Sequence, residues 1–373
     1  MLRIGVDRRA IHWRDGTGVL RYRNTLSTAL NALGAIVEPL VDGNDRDARP
    51  VWADLPRIIS GRVPVERAGA AWYAPDLYRL AHRHFSLTGT ILDIVAADPP
   101  GVVHWSHPLP MQVVGAANLY TVHDLIPIET PELTGISRQR HARLLERLVE
   151  QAAHLVTVSE TVRSRLCERL RLAEDRVTCC YAAVEHCVPG PLPAGLEKGR
   201  YLLALGRVES RKNIARLILA HRASGVSLPL VVAGPEGHWA SQAERRHTQA
   251  LLAESQVVHL GWQPEETATA LLAGARALLM PSLAEGFGLP VIEAMMCGVP
   301  AMGAATGPAA EIAADGALLV DPADVDAIAR GIARLHGDEA FRRELVARGY
   351  ARARMFGIES FAARLLRLYE RFM

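Results

Sequence analysis

The sequence predicts an α/β fold made of two domains, each built around a parallel β-sheet. The chain has 373 residues, which suits two domains of roughly 150 to 200 residues better than one. Short apolar strands alternate with helical patterns along the whole chain, an order typical of parallel sheets. A segment rich in proline and glycine interrupts the alternation at residues 189–198, and we interpret it as a linker.

The first domain is predicted to span residues 1–188. Its strands are expected at Leu2–Val6, Val102–Trp105, Leu119–Val122, Leu155–Val158 and Val177–Cys180. Its helices are expected at Val19–Leu33, Arg138–Ala153 and Thr161–Leu170.

The second domain is predicted over residues 199–355, where the alternation restarts. Its strands are expected at Tyr201–Leu205, Leu230–Ala233, Val257–Leu260, Ala277–Met280 and Ala317–Val320. Its helices are expected at Ile214–Ala223, Ala240–Ala253, Glu265–Ala273, Val291–Met296 and Val325–Leu335. Because parallel sheets bind ligands at the carboxyl ends of their strands, polar residues just after these strands are the first candidates for a site.

Composition and charge exclude several classes of protein. The formal net charge is only +2, so nothing points to nucleic acid as a partner. The five cysteines include no C-x-x-C pair, which argues against a zinc site or a disulfide framework and favours a reducing compartment. We find no apolar run of about eighteen residues and no signal-peptide pattern, and therefore expect a cytoplasmic chain without a membrane span.

The segment Met280–Pro300 follows a predicted buried strand and carries Glu285 and Glu293. Gly286 and Gly288 allow a tight turn close to a ligand, and the following proline suits the first turn of a helix. Glu293 is therefore expected in that turn, where amides favour a diphosphate and a carboxylate can accept from ribose hydroxyls. Glu285 is expected on the loop, within reach of sugar hydroxyls. The alternative is that one acid complements the helix dipole and the other faces solvent.

A basic pair follows the first strand of the second domain. After Gly206, Arg207 offers a planar fork to phosphate oxygens, and Lys212 offers a compact charge. Lys212 is one of only two lysines in the chain. Asn213 is expected to cap the next helix, and Arg211 is interpreted as a surface residue. The alternative is a pair of solvated charges near a turn.

Three places in the first domain are weaker candidates. His123 and Asp124 end a predicted strand, although an isolated His-Asp pair is most often structural. Ser159 follows another strand, where capping a helix is a complete structural role for a serine. Gly18 lies in a loop after the first strand that lacks the third glycine of a dinucleotide fingerprint.

Together these motifs resemble a known family. The two glutamates, separated by seven residues around G-F-G-L-P, resemble the signature of the retaining glycosyltransferases of family 4, which have the GT-B fold. The G-R-x-x-x-x-K-N segment is similar to that family's diphosphate-binding segment. The resemblance implies two Rossmann-like domains facing each other across a cleft, with a C-terminal helix at about 356–373 that packs back on the first domain. In the G-T-G-V-L-R-Y loop the match is loose, because V-L precedes R-Y.

The resemblance also implies a division of roles. Arg207 and Lys212 would neutralise the departing diphosphate, Glu285 would orient the sugar, and Glu293 would bind the ribose. His123 lies in V-H-D-L-I-P, a stretch similar to that of mannosyltransferase-like members, and would contact the transferred sugar. The donor site would further include Gly18, Asp124, Ser159, Gly206, Gly286, Phe287, Gly288 and Leu289.

The implied reaction is that of a retaining α-mannosyltransferase using GDP-mannose. Its acceptor would be a hydroxyl of a glycan or polyprenyl-diphosphate-linked glycan in O-antigen or exopolysaccharide synthesis. A UDP-hexose is the alternative donor, and a nucleotide-sugar epimerase of the same fold is the alternative enzyme. A nicotinamide dehydrogenase would need the missing glycine fingerprint, and a non-catalytic binding protein would not need the intact phosphate-binding pair.

Two further expectations concern metal and membrane. The Asp-x-Asp strings at 45–47 and 324–326 follow no clear strand, so we interpret them as structural and expect no required metal. Basic and aromatic residues between 62 and 85, with a line of arginines between 138 and 147, suggest peripheral contact with an anionic membrane. The alternative is a solvated helix face above core aromatics.

Overall fold

A computed structural model describes residues 2–8, 18–42, 51–185 and 188–373. The chain forms two compact units. Unit 1 consists of Met1–His123, Ser137–Ala183 and Ile358–Met373, and unit 2 consists of Asp124–Ile136 and Val184–Gly357. The predicted boundaries placed Asp124–Ile136 in the first domain, whereas this segment belongs to unit 2.

Unit 1 alternates strands and helices, and labels follow chain order through both units. Its strands are β1 (Arg3–Asp7), β2 (Ile36–Val41), β3 (Arg62–Pro64), β4 (Glu66–Ala68), β5 (Ala71–Tyr73), β6 (Leu92–Val95), β7 (Val102–Trp105), β8 (Met111–Val113), β9 (Ala117–Val122), β10 (His154–Thr157) and β11 (Val177–Cys179). Its α-helices are α1 (Gly18–Ala32), α2 (Val51–Ser60), α3 (Leu77–Thr88), α5 (Arg138–Gln151), α6 (Glu160–Leu170) and α14 (Ile358–Tyr369).

The main sheet of unit 1 has the strand order β11-β10-β9-β7-β1-β2-β5-β4. Its neighbouring strands are parallel except β4 and β5. A smaller parallel sheet has the order β3-β6-β8. The chain goes from β1 to β2 on one side and later returns to β7 on the other, so the carboxyl ends of β1 and β7 border the crevice where open parallel sheets bind ligands.

The C-terminal helix α14 packs within unit 1. The ring of Phe361 lies 5.8 Å from that of Tyr22 on α1, measured between centroids. The Tyr369 hydroxyl lies 2.6 Å from Nδ1 of His104 on β7, and Nε2 of the same ring lies 2.8 Å from the Thr121 hydroxyl on β9. The side chains of Tyr22, His104, Phe361 and Tyr369 are fully buried or nearly so. α14 is therefore part of the core of unit 1.

Unit 2 repeats the alternation. Its strands are β12 (Leu202–Leu205), β13 (Leu230–Ala233), β14 (Val257–Gly261), β15 (Ala277–Met280), β16 (Ala301–Ala304) and β17 (Leu318–Val320). Its α-helices are α4 (Ile126–Glu129), α7 (Ile214–Ala223), α8 (Gln242–Leu252), α9 (Glu265–Gly274), α10 (Leu289–Met296), α11 (Gly307–Ala313), α12 (Val325–Gly337) and α13 (Glu339–Ala353).

The sheet of unit 2 is parallel throughout, in the order β14-β13-β12-β15-β16-β17. β13 and β15 are buried along their whole length, as expected for strands with helices on both faces of the sheet. The strand order reverses between β12 and β15, so their carboxyl ends flank the binding crevice of this unit. Both loops predicted to carry the donor site begin there.

The described residues confirm the predicted α/β class with parallel sheets. No helix in this part of the chain is long and apolar enough to cross a membrane. The four cysteines that the structure describes carry free thiols, and Cys187 lies outside the described residues.

Candidate donor site and the strand edge of unit 1

A buried ion pair joins the two loops of unit 2 that flank the crevice. Nζ of Lys212, in the loop after β12, lies 2.5 Å from Oε1 of Glu285, in the loop after β15. Both side chains are less than one-tenth exposed. The strand order brings them together although 73 residues separate them in the chain.

Arg211 is part of the same cluster, so its interpretation as a surface residue was wrong. Its guanidinium lies 3.1 Å from Oε2 of Glu285 and 2.6 Å from Oε1 of Glu209. Burial lowers the pKa of Arg211, but the charges of Glu285, Glu209 and Asp124 outweigh burial and raise it. Asp124, a predicted donor residue, thus belongs to the electrostatic surroundings of the cluster. Its side chain also accepts a hydrogen bond of 3.0 Å from the Ile126 amide, at the start of α4.

The cluster keeps Glu285 charged. Burial alone raises the pKa of this carboxyl, but Lys212 and Arg211 overcome that effect and hold the pKa at about 2. At neutral pH both carboxylate oxygens therefore accept from cations, Oε1 from Lys212 and Oε2 from Arg211. Glu285 is held in one orientation by two positively charged groups.

Asn213 holds the loops in place by a contact other than the expected cap. It occupies the N-cap position of α7 with a left-handed φ of 61°, but its side chain makes no capping hydrogen bond. Nδ2 instead donates to the carbonyls of Pro281 and Pro322, at 3.0 and 2.7 Å. Asn213 therefore ties the loop after β12 to the chain that leaves β15 and β17, because its left-handed backbone turns the amide towards them.

Glycines allow the strand ends to approach closely. Gly206 has a φ of 133°, and a Cβ there would lie 3.6 Å from Cε of Lys212. Gly234, at the end of β13, was not predicted as a site residue, yet a Cβ there would overlap with the carbonyl oxygen of Gly206. The signal was present in the sequence, since a glycine follows directly after each of these two strands.

Arg207, the other predicted phosphate ligand, lies next to Gly206 and is partly exposed. Its NH1 group donates to the Glu236 carbonyl at 3.3 Å, in the segment that follows β13. Arg207 is thus anchored on the β13 side of the crevice, whereas Lys212 pairs with the β15 side.

Glu293 lies further along its helix than predicted. α10 begins at Leu289, with Gly288 as N-cap at a φ of 100°, so Glu293 is the fifth helical residue and starts the second turn. The expected first-turn placement was wrong because the helix begins two residues earlier than predicted. Leu289 and Glu293 still share one helix face at a spacing of four residues.

Phe287, a predicted donor residue, has a clear packing role. Its buried ring meets that of Phe356 edge to face, with 5.4 Å between centroids. The aromatic side chain anchors the loop, and Gly286 and Gly288 on either side of it add no side-chain bulk towards a ligand.

In unit 1, the predicted residue His123 follows β9. Its Nε2 lies 2.7 Å from the Ser106 carbonyl oxygen, and its ring meets that of Tyr22 edge to face at 4.9 Å. Burial lowers the pKa of His123, while the Ser106 carbonyl and the charge of Asp7 partly offset that effect. Sequence reasoning missed Asp7 and Ser106, whose signal was a polar residue at the end of a buried strand.

The remaining candidates have structural roles or lie partly outside the described residues. The Ser159 hydroxyl accepts from the Val162 amide at 3.2 Å and caps α6, as expected. Gly18 is the first residue of α1, and the loop residues before it are outside the described part. The string at 45–47 also lies outside, while Asp324 caps α12 through the Ala327 amide.

Comparison with known proteins identifies the family of this chain. The Glycosyltransferase Family 4 model matches residues 16–186, and the Glycosyl transferases group 1 model matches residues 194–352. The chain is 30% identical over 264 residues to O-antigen chain mannosyltransferase B of Escherichia coli, a match that covers 67% of this chain and 69% of the relative. The chain belongs to glycosyltransferase family 4.

Two further similarities place this family 4 chain among known proteins. It is 30% identical over 256 residues to the serotype-specific mannosyltransferase WbdA of Escherichia coli, covering 63% of this chain and 31% of that longer relative. It also superposes on HepE of Anabaena, solved in complex with UDP-glucose, over 100% of both chains with a TM-score of 0.68 and 14% identity. The latter shows the fold alone, which is GT-B, as predicted from the sequence.

As a family 4 member, the chain is a glycosyltransferase. Within unit 2 the structure brings together Lys212, Glu285 and the unpredicted Arg211, with Asn213 joining their loops. Within unit 1 it places His123 beside Ser106.

Proposed function

We propose that the chain is a retaining α-mannosyltransferase that uses GDP-mannose to extend a glycan or a polyprenyl-diphosphate-linked glycan of a surface polysaccharide. The observation that carries the proposal is the buried contact of Lys212 and Arg211 with Glu285 at the carboxyl ends of β12 and β15. Cations beside a fixed hydrogen-bond acceptor suit a ligand with both a diphosphate and a sugar. The V-H-D-L-I-P stretch and the O-antigen mannosyltransferase relatives support mannose.

The diphosphate is proposed to bind between Arg207, Lys212 and the first turn of α10. Nζ of Lys212 carries three protons, so it can donate to a phosphate oxygen while it keeps its contact with Glu285. Arg207 adds a planar fork, and the amides that begin α10 at Leu289 favour an anion. These groups would stabilise the charge that develops as the diphosphate leaves.

The sugar and ribose are proposed to contact the acidic residues. Glu285, held by two cations, would orient the hexose through its hydroxyls. Glu293, one turn along from Leu289, would accept hydrogen bonds from the two ribose hydroxyls. His123 is proposed to contact a hydroxyl of the transferred sugar.

Retention is proposed to come from front-face attack, because both oxygens of Glu285 are held by cations and it is thus poorly suited as a nucleophile. The acceptor hydroxyl oxygen would bond to the anomeric carbon on the face from which the diphosphate departs. As the carbon–oxygen bond to phosphate breaks, a phosphate oxygen of the leaving group would take the hydroxyl proton.

A donor screen tests the proposal. Purified chain is incubated with GDP-mannose, UDP-glucose or UDP-N-acetylglucosamine, and donor binding is measured by thermal shift and turnover by nucleotide release. We expect GDP-mannose to raise the melting temperature most and to be consumed fastest. The lysines provide a matched pair of variants, since Lys212→Ala should abolish the response and Lys198→Ala, in the exposed linker, should preserve it.

Two results would redirect the assignment. Preference for a UDP-hexose would replace mannose by the alternative donor, in line with the UDP-glucose bound to HepE. Conversion of the donor into another nucleotide sugar without acceptor would indicate the epimerase. Retention itself is read from the anomeric configuration of the product by proton NMR.

We further propose that turnover needs no metal, because Arg207 and Lys212 can supply positive charge at the diphosphate. Dialysis against EDTA should leave the rate unchanged, and loss of activity that Mg²⁺ or Mn²⁺ restores would contradict this point.

Membrane contact is proposed for the ends of α2 and α3. Of the aromatic residues between 62 and 85, Trp72, Tyr78 and Phe85 are buried in unit 1, which fits the alternative of core aromatics. Ile59 on α2 and Leu87 on α3 are instead 73% and 70% exposed. Exposed apolar side chains with Arg57, Arg62 and Arg83 close by in the chain suit an anionic surface at the cytoplasmic face of a membrane. The free thiols of the described cysteines fit that reducing compartment.

Co-sedimentation with vesicles tests this contact. The full chain should pellet with phosphatidylglycerol vesicles and much less with phosphatidylcholine vesicles. Combined Ile59→Ser and Leu87→Ser should weaken the first result, whereas Val188→Ser, which removes another exposed apolar side chain, should not. Equal binding by both variants would refute the proposed surface.

A further inference from the structure

The proposed function leaves unused a buried carboxylate at the end of β1. Asp7 is 2% exposed. Its Oδ1 accepts from the Ser106 amide at 2.5 Å, and its Oδ2 accepts from the Ser106 hydroxyl at 2.7 Å. A buried carboxylate is costly to desolvate, so its presence calls for more than the joining of two strand ends.

Ser106 links Asp7 to His123, the residue proposed to contact the sugar. Asp7 accepts hydrogen bonds from both the amide and the hydroxyl of Ser106, and these two bonds fix the orientation of Ser106. The Ser106 carbonyl oxygen then lies 2.7 Å from Nε2 of His123. Since a carbonyl can only accept, the proton of the imidazole must lie on Nε2.

The other ring nitrogen of His123 is therefore an acceptor. Burial lowers the pKa of His123, so the ring is neutral at pH 7 and Nδ1 carries a lone pair. The edge-to-face contact with Tyr22, at an interplanar angle of 90°, fixes the plane of the ring. One tautomer and one orientation result.

The topology places these three residues at a ligand-binding edge. Asp7 ends β1, Ser106 follows β7 and His123 follows β9, and these strands are adjacent in the sheet. The carboxyl ends of β1 and β7 border the crevice of unit 1. A hydrogen-bond acceptor fixed at this edge suits a hydroxyl group as its ligand.

We propose that Asp7 is a positioning residue of the transfer reaction, which through Ser106 holds His123 so that Nδ1 accepts a hydrogen bond from a pyranose hydroxyl. The inference rests on the proposed glycosyl transfer and names a residue that acts on the sugar indirectly.

A pair of substitutions at His123 tests which nitrogen acts. In His123→Asn the side-chain oxygen can replace Nδ1 as acceptor, whereas in His123→Gln the amide nitrogen can replace Nε2 as donor to Ser106. We expect Asn to lower kcat/KM for GDP-mannose by about 10-fold and Gln by about 100-fold, as for the loss of one preorganised hydrogen bond. The control is the same pair of substitutions at His221, whose Nε2 contacts the Leu228 carbonyl at 2.8 Å in unit 2. There, Gln should not lower kcat/KM more than Asn does. Equal losses for both variants at His123 would overturn the proposed role of Nδ1.

A double-mutant cycle tests whether Asp7 acts through His123. Asp7→Ala should lower kcat/KM by about 10-fold in the wild-type background and have little further effect in His123→Gln, because residues of one network are not additive. If Asp7 had only a structural role, Asp7→Ala would lower kcat/KM by the same factor in the wild type and in His123→Gln. Activities are compared well below the melting temperature of each variant, so that every variant is folded during the assay.

Nitrogen NMR of the full chain labelled with ¹⁵N-histidine separates this inference from the proposed function. The His123 signals are identified by their absence in His123→Gln. We expect a protonated Nε2 and an unprotonated Nδ1 at pH 7, and a mixture of tautomers in Asp7→Ala. A protonated Nδ1, or no change in Asp7→Ala, would refute the inference, whereas failure of the wild type to use GDP-mannose would refute only the proposed donor.

Discussion

Nζ of Lys212 lies 2.5 Å from Oε1 of Glu285, and this buried pair joins the loops that follow two adjacent strands of unit 2. Arg211 contacts the second oxygen of the same carboxylate. The pair thus serves two purposes, since it stabilises the crevice and fixes the acceptor proposed to orient the sugar.

Loss of the lysine should reveal both purposes. Lys212→Met leaves Glu285 with Arg211 alone, and we expect unfolding to become easier by roughly 3 kcal/mol, the low end for breaking a buried pair. Donor turnover should fall at least about 100-fold because charge at the diphosphate is lost. Urea unfolding and nucleotide release measure the two effects. Wild-type turnover in a folded Lys212→Met would contradict the assignment.

Acid should weaken the folded state partly through Glu285. The pKa of this carboxyl is about 2 in the folded chain, against an ordinary value of 4.5. Because the folded pKa is depressed, its contribution is fully present above about pH 4.5 and is lost as the pH falls towards 2, amounting to about 3 kcal/mol. The melting temperatures of wild type and Glu285→Gln should therefore converge from pH 6 to pH 3. A constant difference would show that the carboxylate charge is not the stabilising feature.

Arg211 should prove necessary although the sequence motif does not include it. Arg211→Ala leaves Glu209 and Glu285 without their shared cation, so we expect a lower melting temperature and a raised KM for the donor. Arg211→Lys should recover little, since one ammonium cannot reproduce the fork that spans both acids. Arg222→Ala removes an exposed arginine paired with Glu254 and serves as the control. Equal effects at positions 211 and 222 would argue against a special role for Arg211.

Gly234 should tolerate no side chain. Gly234→Ala would place a Cβ against the Gly206 carbonyl and push the loop of Arg207 and Lys212 away from β13. Gly225→Ala is the matched control, since it imposes a positive φ of 68° on alanine where a Cβ meets nothing within 4 Å. We expect backbone strain to destabilise both variants by roughly 1 kcal/mol, and donor binding to be lost in Gly234→Ala alone. Thermal shift with GDP-mannose distinguishes the two.

Much of the fold was predictable because its strands are short continuous apolar runs. The bounds of β7, β13 and β15 coincide with the predicted segments, and α7 begins and ends as expected. β2 and β16 were not predicted. β2 contains a proline at position 39, and β16 consists of small residues and a methionine, so neither shows a strong strand pattern.

The candidate site was predictable in its motifs and not in its contacts. Glycines, Arg207, Lys212 and the two glutamates stood out because they follow strands at characteristic spacings. Asn213 was expected to cap a helix, but its left-handed backbone directs the amide to Pro281 and Pro322. Such a contact depends on where distant loops lie, which local patterns do not contain.

The sequence by itself determined the α/β class, the two-domain plan, the family and the loops that carry the donor motif, because these follow from hydrophobic periodicity and local spacing. Only the tertiary structure decided that Lys212 and Arg211 share Glu285, that Glu293 lies in the second turn of its helix, and that Asp7 reaches His123 through Ser106. The physical reason is that the order of strands in a sheet, and not their order in the chain, decides which strand ends are neighbours. Residues 73 to 99 positions apart come into contact in this way.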